Sequence, residues 1–166
     1  MDEIALLKHA LALEPLLDAA FRESGTGARE FRDTSFIPNL EKTLEIPTRL
    51  KMSARGLMGV QANFTRFLVN RLRWEADVEK HPEILDEDVS DPIVVLGLPR
   101  SGTTKLQRFL SADPNLRATP TWALFNPAPF PVEARGEAHL RRAWAAAAMG
   151  AVTNTGESSQ IMHEFD

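Results

Sequence analysis

Cysteine is absent from this chain of 166 residues. That excludes a disulfide scaffold, a thiolate metal site and a cysteine nucleophile. Long apolar runs are also missing. The longest, Ala143 to Val152, is mostly alanine, too short to span a bilayer, and suited to a packed helix. The opening Met-Asp-Glu-Ile lacks the basic start of a signal peptide. These absences predict a cytoplasmic protein with no membrane span. There is no excess of positive charge either, the formal net charge being −4. No global basic field recruits nucleic acid, so an anionic ligand must be held by local groups. There is no internal repeat and no cluster of metal ligands, so no metal is expected.

What is present reads as one ordinary soluble domain's worth of chain. Residues 3–21 place Ile4, Leu7, Leu11, Leu13, Leu16, Leu17 and Phe21 at helical spacing. Ser24-Gly25-Thr26-Gly27 then breaks the helix. Leu40 to Leu50 is a weaker segment that ends near Pro47. Residues 53–79 carry the longest helical pattern, with Leu57, Val60, Phe64, Phe67, Leu68 and Leu72 on one side and Ser53 as its cap. Arg66, Arg71 and Arg73 are expected on solvated flanks of that helix. His81-Pro82 stops it.

A charged linker, Asp86 to Asp91, leads into Pro-Ile-Val-Val-Leu-Gly-Leu-Pro-Arg-Ser-Gly-Thr-Thr at 92–104. Ile93–Leu96 has no polar alternation, which predicts a strand buried on both faces of a parallel sheet. A helix over Gly102 to Ala112 follows, with Leu106, Phe109 and Leu110 turned inward. Asp113-Pro114-Asn115 ends it, a proline-rich loop carries Trp122, Phe125 and Phe130 as core aromatics, and 133–150 is helical again. Between strand and helix, glycines allow close approach of the backbone, and the N–H groups of a helix N-terminus offer an anion cradle. One strand alone leaves its backbone groups unpaired. A second is expected near Ile161, and the reading is of the front portion of a larger α/β protein.

Gly97 to Thr104 resembles the Walker A spacing, but Thr103 stands where the lysine belongs. Positive charge sits inside the loop instead, at Arg100, whose guanidinium can fork onto a pair of phosphate or sulfate oxygens. Pro99-Arg100-Ser101-Gly102-Thr103-Thr104 resembles the 5′-phosphosulfate-binding loop of the P-loop sulfotransferase superfamily. Asn70-Arg71-Leu72-Arg73, His81-Pro82-Glu83-Ile84, Ala112-Asp113-Pro114 and Thr121-Trp122 are similar to a bacterial branch of it.

The resemblance implies an α/β fold: a P-loop nucleotide-hydrolase-like parallel sheet core, incomplete here, behind a helical N-terminal segment. The division expected is 1–85 helical and 86–166 the start of the P-loop domain, truncated. It implies 3′-phosphoadenosine 5′-phosphosulfate (PAPS) as cofactor and sulfuryl transfer to a hydroxyl or amine on a small molecule, glycan or lipid. Pro99, Arg100, Ser101, Gly102, Thr103 and Thr104 would hold the cofactor, and Arg100 would meet charge growing on the leaving phosphate. Relatives often place a glutamate where Ala123 stands, so His163, with Glu164 behind it, becomes the candidate base. Lys105 and Arg108 are read as solvated, and His9, His81 and His139 receive no role. The family's downstream arginine and serine for the 3′-phosphate find no match before Asp166. Two other readings stay open: a P-loop kinase or triphosphatase, and an inactive fragment that acts as an interaction module.

Overall fold

The computed structural model describes residues 2–98, 101–134 and 136–153. Seven α-helices stand in it: α1 (Glu3–Ala10), α2 (Leu13–Ser24), α3 (Ile37–Arg49), α4 (Ala54–Lys80), α5 (Thr103–Ser111), α6 (Thr121–Phe125) and α7 (His139–Thr153), with a 3-10 turn at Pro82–Asp86. The long α4 starts as its sequence requires. Ser53 takes extended backbone and accepts the N–H of Gly56 at 3.2 Å, satisfying one of the donors that a first turn leaves without a carbonyl. It ends at His81, beside Pro82.

Around α4 sits the core. Leu57, Leu68, Val69 and Leu72 of α4 meet Leu16 and Ala20 of α2, Leu44 of α3, and Leu11 and Phe31 from the connections. The expected single helix over 3–21 is two helices. The N–H groups of Leu11 and Ala12 turn back to the carbonyls of Lys8 and His9, a tightening that ends α1. Leu11 is thereby fully buried. Phe67, expected in the core, is exposed; it stands edge-on to Phe64 with centroids 6.5 Å apart and beneath the Arg66 guanidinium.

The three arginines expected to be solvated instead bind α4 to its neighbours. Arg73 donates through Nε to the Ser24 carbonyl at 3.0 Å and through Nη2 to the Glu23 carbonyl at 3.1 Å. This places a cation on the C-terminal end of α2, where the helix dipole favours it. Arg71 reaches Asp33 Oδ2 at 2.7 Å and Glu75 Oε1 at 3.2 Å, and Glu75 in turn accepts the Arg32 N–H at 3.1 Å. Arg66 donates to the Phe125 carbonyl at 2.9 Å, and Asn70 to the same oxygen at 2.7 Å. Contacts therefore run from α4 to the end of α6, and α6 packs on α7. The segment before α7 is held by Glu133, whose carboxylate is covered and lies 2.8 Å from Arg141 Nε. It also accepts the N–H groups of Phe130 and Arg141.

The parallel sheet core is not found: among the described residues no strand is formed. Ile93–Leu96, expected to be buried on both faces, is irregular backbone, with Ile93 62% and Leu96 86% exposed. A strand exists only within a ladder, and no described segment lies alongside to complete one. Ile161, the expected second strand, lies outside the described residues, so the α/β assignment gives way to a helical structure.

Two stability measurements test these tethers. Glu75→Ala strips the part-buried Arg32 N–H of its acceptor and leaves Arg71 with Asp33 alone, and is expected to cost about 1–3 kcal/mol in urea unfolding. Arg49→Ala, which breaks only an exposed pair with Glu45, should cost less than about 1 kcal/mol. Burial alone pushes the Glu133 carboxyl up, but the two N–H groups and Arg141 outweigh it and hold it below the usual range. Its contribution is thus complete above the unfolded value of about 4.3 and fades as pH falls through the lower folded value. The stability gap between wild type and Glu133→Gln should narrow on acidification from pH 5 towards pH 3, and a constant gap would deny the shift.

Candidate functional site

The predicted loop is organised around two glycines. Gly102 precedes α5 with φ +87°, a left-handed conformation that side chains with a Cβ rarely take. Its carbonyl accepts the Leu106 N–H at 3.0 Å and so begins the helix. On the other side of the turn, the Ser101 N–H reaches back to the Leu98 carbonyl at 3.1 Å. A Cβ on Gly97 would fall 2.5 Å from Ser101 Oγ and 2.7 Å from Thr103 Cγ2. The loop therefore folds its small residues onto Gly97, and a Cβ there would require the Ser101 and Thr103 side chains to leave their present positions.

Of the expected cofactor-binding residues, Ser101, Gly102, Thr103 and Thr104 come together at the head of α5. Ser101, Gly102 and Thr104 are exposed and Thr103 is half-buried. No side chain caps this helix end, so the first-turn N–H groups, which have no carbonyl inside the helix, stand at the same end of α5 as three hydroxyl-bearing residues. A donor set of hydroxyls and main-chain amides suits an oxyanion. Pro99 and Arg100 lie outside the described residues, as do His163 and Glu164. Lys105 is exposed, and Arg108 stands in the last turn of α5, where the helix dipole favours its charge. Ala123, in the place of the expected acid, is half-buried within α6.

The helix behind the loop differs from expectation. Leu106, Phe109 and Leu110 do not form a packed face: α5 contributes no buried residue, and Phe109 is 77% exposed. Trp122, expected in the core, is only half-buried and stands outside the core cluster; it lies beneath two guanidiniums, those of Arg141 at 5.1 Å and Arg142 at 5.0 Å. Phe125 meets Trp144 at 6.2 Å between centroids. Among the described residues no three histidine or acidic side chains gather to hold a metal. None of their helices is long and apolar enough to cross a membrane.

A separate cleft of about 530 Å³ opens between α1, α4 and residues 126–144. Sequence reasoning did not anticipate it. The signal was present in the seven-residue spacing of Arg66 and Arg73, which puts both on one face of a helix, but each arginine taken alone reads as a surface residue.

Residues 92–164 match the sulfotransferase family. No curated protein and no solved structure matches the chain. The family match contains the whole Gly97–Thr104 turn and α5, so the resemblance seen in the loop holds over that region.

Gly97→Ala tests the geometry directly. Its Cβ cannot be accommodated without displacing Ser101 and Thr103, so the turn should open and the amides of 101–106 should exchange hydrogen faster, at least about tenfold. Unchanged exchange there would mean the turn does not close on Gly97.

Proposed function

We propose that the head of α5 binds the 5′-phosphosulfate end of PAPS and that the chain serves sulfuryl transfer to a hydroxyl or amine acceptor. The observation that carries this reading is the convergence of Ser101, Thr103 and Thr104 on a helix N-terminus shaped by Gly97 and Gly102, inside the segment that matches the family. The residues fit the group: every polar side chain described at that corner can donate, none is a carboxylate, and open space surrounds the place a Cβ would take at Gly102.

In this reading Ser101, Thr103 and Thr104 hold phosphate oxygens, together with the first-turn amides of α5. Arg100 adds the guanidinium, whose two parallel donors match a pair of oxygens on the leaving phosphate. The bound donor supplies a sulfuryl group whose bond to the phosphate oxygen breaks as one forms to the acceptor atom, the phosphate leaving with the electron pair. The protein's share of such an in-line transfer is mostly positioning and charge stabilisation. A proton must also leave the acceptor, and His163 is the residue we assign to take it, with Glu164 second. The Walker lysine position is Thr103, so the ammonium that a nucleoside triphosphatase uses against terminal phosphates is not at its place.

The direct test titrates the chain with adenosine 3′,5′-bisphosphate and follows sulfuryl transfer from PAPS. Arg100→Ala should weaken binding by about 10- to 100-fold, the worth of a charge-assisted hydrogen bond, and should abolish transfer. Thr104→Val should weaken binding by a smaller factor. Magnesium-dependent hydrolysis of ATP by the chain, with no response to adenosine 3′,5′-bisphosphate, would replace this reading with the nucleotide-hydrolysing one.

A further inference from the structure

Four arginines of the described residues are paired with a carboxylate, Arg32 with Glu79, Arg49 with Glu45, Arg71 with Asp33 and Glu75, and Arg141 with Glu133, and Arg73, though not in contact with one, feels Glu133 and Glu23. Arg66 differs from all of them. It is half-buried in the side of α4 and holds the Phe125 carbonyl at 2.9 Å and, weakly, Asn63 Oδ1 at 3.4 Å. The Phe67 and Phe125 rings lie 4.5 and 5.0 Å from its guanidinium carbon. Burial lowers its proton affinity, and no acidic neighbour works against that. A cation taken partly out of water without an anion is costly, and an incoming anion offsets that cost.

The second observation is independent. Asn126 follows the carbonyl that Arg66 holds, is 2% exposed, and leaves Nδ2 without any hydrogen-bond partner. Buried amide donors are nearly always satisfied. Arg66 and Asn126 line one cleft of about 530 Å³, within the size range of small-ligand sites. The remaining wall is largely apolar, formed by Met58, Val69, Phe130 and Trp144 among others. Two residues with hydrogen-bond donors, one of them charged, thus line the same cleft as this apolar surface.

We infer that this cleft binds a small organic anion with an apolar body, its acid group at Arg66 and Asn126 and its body along Met58, Val69 and Trp144. Glu23 and Arg73 stand towards the α2 side of the cleft and offset each other, so a single acid group is favoured over two. The site does not rest on the loop at the head of α5. Two classes of ligand share the chemistry, aromatic and aliphatic monocarboxylates, and the ring-lined wall favours the aromatic one.

Calorimetric titration with 2-naphthoate and with neutral 2-naphthalenemethanol tests the inference. The acid should bind more tightly than the alcohol by at least about tenfold, the worth of a hydrogen bond to a charged group. Arg66→Gln should remove that preference. Because Arg66 also tethers α6, a second variant is needed: Ala62→Trp fills the cleft from an exposed position of α4 and leaves the Arg66 bonds in place. It should lower naphthoate affinity by a similar factor with no loss of unfolding stability. Arg100→Ala should leave naphthoate binding unchanged. Equal affinity for acid and alcohol, or undiminished naphthoate binding in Ala62→Trp, overturns the site.

Discussion

The structure depends on the side of α4 that carries Arg66, Asn70 and Arg73. Each of these residues spends its donors on main-chain carbonyls at the end of another helix: Phe125 for the first two, Ser24 and Glu23 for the third. The last carbonyls of a helix have no N–H of their own to accept. A partner that supplies a positive charge there satisfies them and meets the negative end of the dipole together. The apolar face of α4 gathers α2 and α3 through burial, which is non-directional. The arginines add direction, because a planar guanidinium bonds only where a carbonyl lies in its plane.

This division of labour explains why the two candidate sites differ in character. The cleft beside Arg66 is a by-product of tethering: holding α6 by its final carbonyl keeps Asn126 and the guanidinium on one cleft. Its rigidity comes from the bundle. The loop at the head of α5 takes nothing from the bundle, since α5 buries no residue. Its order is local, and resides in the contact of Ser101 and Thr103 with Gly97 and in the left-handed turn at Gly102. Such a corner can present amides and hydroxyls with little help from its surroundings.

The elements legible in the sequence were those whose signals are local. Ser53 and Pro82 bracket α4, Gly25 marks the end of α2, and Leu57, Leu68 and Leu72 are buried as their spacing requires. The start of α5 after Gly102 was legible for the same reason, since a glycine followed by two threonines acts within a few residues. Readings that rested on a distant partner did worse. Arg66, Arg71 and Arg73 look like solvent-facing charges until the carbonyls and carboxylates 38 to 59 residues away are known. The break after Ala10 was hidden because the pattern of leucines continues through it; burying Leu11 required the turn.

The failure at Ile93–Leu96 is of a different kind. A run of β-branched and aliphatic residues is a statement about what will surround it, and it becomes a strand only when a neighbour supplies the other half of each hydrogen bond. The same holds for Leu106 and Phe109, whose helical spacing is sound but whose burial needs a facing surface. Sequence pattern therefore gave the right local conformation for α5 and the wrong environment. The chemistry proposed for the loop survives that correction because it does not pass through a sheet. Main-chain amides at a helix end, a left-handed glycine and three small hydroxyl residues are fixed by the turn itself, and function follows the site more closely than the architecture around it.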